Sequence, residues 1–189
     1  MKTKNNLFII SGPSGAGEDS IIEGLKKFLP IERVVTTTTR EKRSDVFVED
    51  PYYFISKEEF KKRIEENRFF EYAQEYNNQF YGVTKKEIER VIKSNKIGIW
   101  KIEYKGVITV KKTMPEVVAI LITTESLEIL KQRILNRGAN AEFVKERMIY
   151  TKEWLKYKDI YDYEVVNYEG KLDEAVKEVK GIILRECSK

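Results

Sequence analysis

The chain has 189 residues, enough for one domain with a substantial core, and 35 Lys and Arg against 31 Asp and Glu leave a net charge of +4. That mild balance, spread rather than clustered, argues against a nucleic-acid partner, and the longest apolar stretch, Val117 to Ile122, is too short to cross a bilayer. The absence of histidine excludes His-based general-base triads and makes zinc a poor fit, while a single cysteine, Cys187, permits no internal disulfide and suits a reducing cytoplasm.

In chain order, Met1 to Asn6 carries no apolar signal-peptide region and leads into a strand over 7–11, whose Leu7-Phe8-Ile9-Ile10 run suits burial on both faces. Gly12 to Ser20 then reads Gly-Pro-Ser-Gly-Ala-Gly-Glu-Asp-Ser, close to G-x-x-x-x-G-K-[ST]. In that pattern backbone N–H groups cradle phosphate, Lys bridges the transferred group and Ser or Thr serves Mg²⁺. Here Gly12 and Gly17 are in register, with Glu18 in the Lys position and Asp19 in the hydroxyl position. Ile21, Ile22 and Leu25 recur at helical spacing over 18–28, so the loop opens on a helix N-terminus, which attracts anions by its unpaired N–H groups.

Strand 33–39 and helix 57–67 follow, then strand 69–75, helix 84–95 and strand 98–103. A short helix near 106–112 precedes strand 117–122, helices 126–136 and 140–157, strand 163–167 and helix 171–186. Alternating strands and helices predict an α/β domain with a largely parallel sheet and helices on both faces. Between 36 and 83 the rhythm breaks into short aromatic segments, Tyr52-Tyr53-Phe54-Ile55, Phe69-Phe70-Glu71-Tyr72 and Phe80-Tyr81-Gly82, which predict a small inserted mixed-β subdomain. The basic stretch Arg133 to Arg147, between two helices, predicts a mobile cap.

These motifs, in this order, resemble the guanylate kinase family of P-loop nucleoside monophosphate kinases over essentially the whole chain. Ile9 to Gly17 is similar to its ATP loop, Thr36-Thr37-Thr38-Thr39-Arg40-Glu41-Lys42-Arg43 to its acceptor-phosphate signature, and Asp50 to Ser56, Glu71-Tyr72-Ala73, Tyr81-Gly82 and Glu103-Tyr104-Lys105-Gly106 follow. Arg133, Arg137-Gly138 and Arg147 resemble lid arginines, and Val165-Val166-Asn167 the last strand with its adenine-side loop. The resemblance implies one domain over 1–189, with a core of 1–35, 84–125 and 158–189, an acceptor-binding subdomain of 36–83 and a helical lid of 126–157.

By that resemblance GMP is held by Thr36, Arg40, Arg43, Tyr52, Glu71, Tyr81, Val83 and Glu103. Arginine forks suit phosphate oxygens, and the Glu71 carboxylate accepts from the guanine N–H edge. ATP lies on Gly12, Ser14, Gly15, Ala16, Gly17, Asp19, Ser20 and Asn167, with Mg²⁺ carried by ATP. Lys101, Arg133, Arg137, Arg147 and Glu18 form the catalytic set. The expected protein is cytoplasmic, a monomer or weak homodimer, with no membrane partner.

The chain departs from the family at four positions. Glu18 and Asp19 replace the loop's lysine and hydroxyl, Lys101 falls where an aspartate is common, and Val83 replaces a hydroxyl that would reach the base. One account is a swapped site, in which Lys101 supplies the cation while Glu18 or Asp19 helps to hold Mg²⁺. The other is a structural Glu18–Lys101 ion pair in a loop that no longer binds ATP, leaving an inactive module that grips GMP or a phosphorylated partner. A kinase for another small phosphate ester is a third account, set against by the threonine-arginine signature. Val83 implies weaker selection of GMP over other monophosphates.

Overall fold

The computed structural model describes residues 6–42, 52–74 and 78–189. Five strands, β1 (Leu7–Ser11), β2 (Ile31–Arg33), β7 (Ile97–Trp100), β8 (Val118–Thr123) and β9 (Tyr163–Val166), form a parallel sheet in the order β2-β7-β1-β8-β9. Alternation along β1 sends Phe8 and Ile10 to one face, where they meet Ile21, Ile22 and Leu25 of α1 (Glu18–Lys26) and Val176, Val179 and Ile183 of α7 (Leu172–Cys187). Leu7 and Ile9 go to the other face, against Ile88 and Val91 of α3 (Lys85–Ile92) and Val107 and Val110 of α4 (Tyr104–Thr113). Burial on both faces is why β1 and β8 read as unbroken apolar runs.

A second, four-stranded sheet has the order β4-β3-β6-β5, from β3 (Thr36–Thr38), β4 (Tyr52–Phe54), β5 (Phe69–Gln74) and β6 (Phe80–Thr84). β3 runs parallel to β4 and antiparallel to β6, so the sheet is mixed, as the sequence predicts. It is backed by α2 (Lys57–Glu65), whose Phe60 ring stacks on Phe69 and Phe80 at 4.3 and 5.2 Å between centroids.

The single strand expected over 33–39 is two strands in different sheets. β2 ends at Arg33 and β3 begins at Thr36. At the step, Val34 N–H still donates to Ile99 O at 2.9 Å, but Val35 N–H donates to the Glu87 carboxylate at 2.7 Å. A side chain from α3 thus takes the place of a ladder partner, and the chain turns out of the first sheet. Strand β7 likewise stops at Trp100, releasing 101–103 to line the cleft, and α4 begins at Tyr104, before the expected 106.

The cap consists of α5 (Leu127–Asn136) and α6 (Ala141–Leu155). Arg133 lies inside α5 and Arg147 inside α6, so most of the stretch expected between helices is itself helical. Among the described residues no helix is long and apolar enough to cross a membrane.

Candidate active site

The loop between β1 and α1 is shaped by Gly15 and Gly17, at φ of +93° and +95°. Gly17 is the residue before the helix, and a Cβ there would sit 2.5 Å from Asn167 Nδ2. Asn167 is buried and donates to Ala16 O at 2.8 Å, so its amide braces the loop from beneath instead of facing an adenine. Arg133, expected over the triphosphate, also lies behind the loop. Its guanidinium donates to Gly15 O at 3.4 Å, Asn167 O at 3.0 Å and Glu169 at 3.0 Å, and it is not part of the cleft wall. The Glu169 carboxylate and two carbonyls draw it there. Ser20 is exposed on α1, also away from the cleft wall.

The two acids of the loop have different partners. Glu18 is half-buried, and its Oε2 accepts from Gly17 N–H at 3.1 Å. Burial pushes its carboxyl up to about 7, against the pull of Lys101 and of that backbone bond. Asp19 Oδ2 accepts from Lys101 Nζ at 2.6 Å and Oδ1 from Arg33 Nη2 at 3.0 Å. Burial would lift the Asp19 carboxyl, but Lys101 and Arg33 hold it below the ordinary aspartate value. Burial also works against the Lys101 ammonium, yet Asp19, Tyr52 and Glu18 keep its pKa above that of free lysine. The direct ion pair of Lys101 is therefore with Asp19 and not with Glu18.

This geometry does not suit Asp19 as a Mg²⁺ ligand, because each of its oxygens already faces a cation. Glu18 is left as a lone carboxyl whose raised pKa opposes the ionised form a metal needs. No group of three or more Asp, Glu, Cys or His suited to a metal ion occurs among the described residues.

A cleft of about 700 Å³ runs from this loop to the second sheet. Gly12, Ser14, Glu18 and Lys101 line one end, and Thr36, Tyr52, Glu71, Tyr81 and Glu103 line the other. Arg137 and Arg147 reach the cleft from the cap. Glu71 is 8 % exposed, and Gly106 of α4 stands beside it, where a Cβ would lie 3.4 Å from Glu71 Oε2. Tyr52 and Tyr81 meet edge to face at 6.3 Å, and the Arg40 guanidinium lies 5.4 Å from the Tyr52 ring and 5.9 Å from that of Phe54. Burial raises the Tyr81 phenol pKa, with Arg40 opposing. Arg43 falls outside the described residues. Val83 does not reach the cleft. It shares the parity of Tyr81 on β6, but it is fully buried among Val34, Ile88 and Trp100, where the second sheet meets the first.

A family model described as Guanylate kinase matches residues 4–186. The chain belongs to the guanylate kinase family. It is similar to the guanylate kinase of Clostridioides difficile, at 39% identity over 188 residues covering 98% of this chain and 90% of that protein. The guanylate kinase of Clostridium acetobutylicum is 37% identical over 191 residues, covering 98% of this chain and 88% of that protein. Among solved structures, the crystal structure of guanylate kinase from Anaplasma phagocytophilum matches with a TM-score of 0.73 at 24% identity, over 97% of this chain and 86% of that one, which supports the fold.

Three side chains, Tyr150 in the cleft wall and two others behind it, escaped the sequence reading. Tyr150 of α6 donates from its hydroxyl to Glu103 Oε2, linking the cap to the end of the cleft lined by the second sheet. Its signal was present: Tyr150 lies three residues after Arg147, on the same helical face. Tyr161 holds the junction of three elements, pairing with Ser11 Oγ at 2.9 Å and accepting from Trp154 Nε1 at 3.0 Å, while Ser11 donates to Ile102 O at 2.6 Å. Burial pushes the Tyr161 phenol up to about 12, so it stays a neutral donor and acceptor. Arg33 is the third, and no periodicity marks it.

Proposed function

We propose that this family member, an ATP-dependent phosphotransferase, is a nucleoside monophosphate kinase that moves the γ-phosphoryl group of ATP to GMP, giving GDP and ADP. The observation that carries the proposal is the single continuous cleft lined at one end by the loop residues Gly12 and Ser14 with Lys101, and at the other by Thr36, Tyr52, Glu71 and Tyr81. Donor and acceptor phosphates placed from the two ends would meet in its middle, which converts a bimolecular transfer into an oriented one.

Each side chain has a part that follows from its chemistry. Glu71, nearly dry, accepts from the N1–H and N2–H edge of guanine. Thr36, Tyr52 and Tyr81, with Arg40 against the Tyr52 ring, receive the acceptor phosphate. The loop amides and the α1 N-terminus receive the ATP phosphates. Lys101 stands in for the loop cation, and its contact with the helix that follows the loop supports the charge-swapped reading. Arg137 and Arg147 neutralise charge on the transferring group when the cap closes. The acceptor oxygen is already anionic, so no strong general base is needed. ATP brings Mg²⁺ on its phosphates, and no step is assigned to a protein-held metal.

One observation favours a second reading, an inactive module that binds GMP or a phosphorylated partner. The Gly17 N–H, a donor the loop would offer to phosphate, is taken by the Glu18 carboxylate. A coupled ATP and GMP assay, with calorimetry for each nucleotide, separates the two. Turnover supports the kinase. GMP binding with no detectable ATP binding supports the module.

A further inference from the structure

We infer that Arg33 is a positioning residue of the phosphate site: it holds Asp19, and Asp19 holds the Lys101 ammonium beside the loop. We build here on the reading of Lys101 as the loop's replacement cation. The inference also reassigns Asp19, expected as a metal ligand, to bridging two cations.

The arrangement follows from strand register. Arg33 on β2 pairs with Ile99 on β7, and paired residues of neighbouring strands share a face. Ile99 packs on the face covered by α1, and Lys101 lies two residues farther along the same chain. Arg33 and Lys101 therefore rise on the side where α1 begins. Asp19, in the first turn of α1, receives both, at 3.0 Å and 2.6 Å.

Arg33 is the most enclosed of the three, with its side chain 17% exposed against 31% for Lys101 and 59% for Asp19. It is fixed from two further directions. Its second terminal nitrogen lies 3.8 Å from Glu23, one turn along α1, and its carbonyl accepts from Arg90 of α3 at 2.9 Å. Lysine at 101 is by contrast a flexible stem with a point charge. Without Arg33, the exposed Asp19 carboxylate would be free to rotate toward water, and the ammonium would lose its fixed place. A rigid guanidinium on an edge strand supplies the direction that the lysine lacks.

A double-mutant cycle tests the inference. Arg33→Met, Asp19→Asn and the double variant are compared for kcat, for KM of ATP and GMP, and for MgATP affinity by calorimetry. Each single variant is expected to lower kcat on the order of tenfold with KM for GMP unchanged, and the double to be no worse than the poorer single. Arg33→Lys, which keeps the charge but not the fork that spans Asp19 and Glu23, is expected to restore only a minor part of the loss. Multiplied losses in the double variant would overturn the inference, as would an Asp19→Asn enzyme whose defect is confined to a raised Mg²⁺ requirement that Arg33→Met lacks. If Lys101→Met turns over normally, the reading of Lys101 as the cation fails by itself, whatever the cycle gives. If Lys101→Met is impaired and the cycle is additive, only the role of Arg33 fails. Calorimetry reads the same coupling in MgATP affinity should Arg33→Met lose turnover altogether.

Discussion

Lys101 and Asp19 form an ion pair at 2.6 Å between the end of β7 and the first turn of the helix that follows the glycine loop. The carboxylate of this pair stands where the loop pattern has a hydroxyl, and the ammonium comes from the strand instead of from the loop's own lysine position, which Glu18 occupies. From this pair follows the most direct test of the site. Lys101→Met should lower kcat by on the order of tenfold or more, since a cation beside the transferring phosphate acts chiefly in the transition state. GMP affinity, measured by calorimetry, should not change.

Glu71→Gln should remove the preference for guanine. The amide offers a donor where the base also donates, and the position is nearly closed to water. The ratio of kcat/KM for GMP over AMP is expected to fall by on the order of a hundredfold, with KM for ATP unaltered.

Glu18 supplies a pH test with a definite sign. Its folded-state pKa is raised from 4.5 to about 7, chiefly by burial. Between those values the native protein keeps a proton that the unfolded chain releases, so stability falls as pH rises through the interval and levels off above it. Glu18→Gln carries no such group. Its Tm relative to the parent protein should therefore climb between pH 4.5 and 7 and stay constant beyond, as read by thermal unfolding in matched buffers. A difference that does not vary with pH would place the Glu18 carboxyl in water.

Glu87→Ala should loosen the step between the two sheets. Glu87 is 4 % exposed, accepts from Val35 N–H at 2.7 Å and receives Arg90 at 2.8 and 3.0 Å. Removing it orphans a backbone donor and breaks a cluster that also includes Glu32 and Arg33 O. Urea unfolding should show a loss of about 1–3 kcal/mol. The intact Thr84 cap, which accepts from the backbone N–H of residue 87, should keep α3 folded.

The alternation of apolar runs and helical spacings made the main sheet legible, because β1 and β8 are buried on both faces and their sequences carry little else. Thr36, Tyr52, Tyr81 and Glu71, singled out by the sequence, come to one end of a common cleft. The break after Arg33 was hidden. Val34 to Thr39 is uniformly suited to strands, and the residue that divides it, Glu87, is remote in sequence. Val83, expected beside the base, lies in the core instead, since the face it shares with Tyr81 runs from the cleft into the buried junction with the first sheet. Arg133 and Asn167 carried the chemistry of ligand contacts, but carbonyls of the loop and strand end satisfy them first. Which of two adjacent acids would meet Lys101 depended on the direction each side chain takes from the first helical turn, a property that spacing does not encode.

The hydroxyl of Tyr150 ties the cap helix to Glu103 at the end of the cleft lined by the second sheet. Under the proposed kinase reaction, a nucleotide that moves either partner perturbs the other, and the binding of GMP and ATP is expected to be coupled. By free-energy conservation around the cycle, whatever factor GMP imposes on the affinity for ATP, ATP must return on GMP in equal measure.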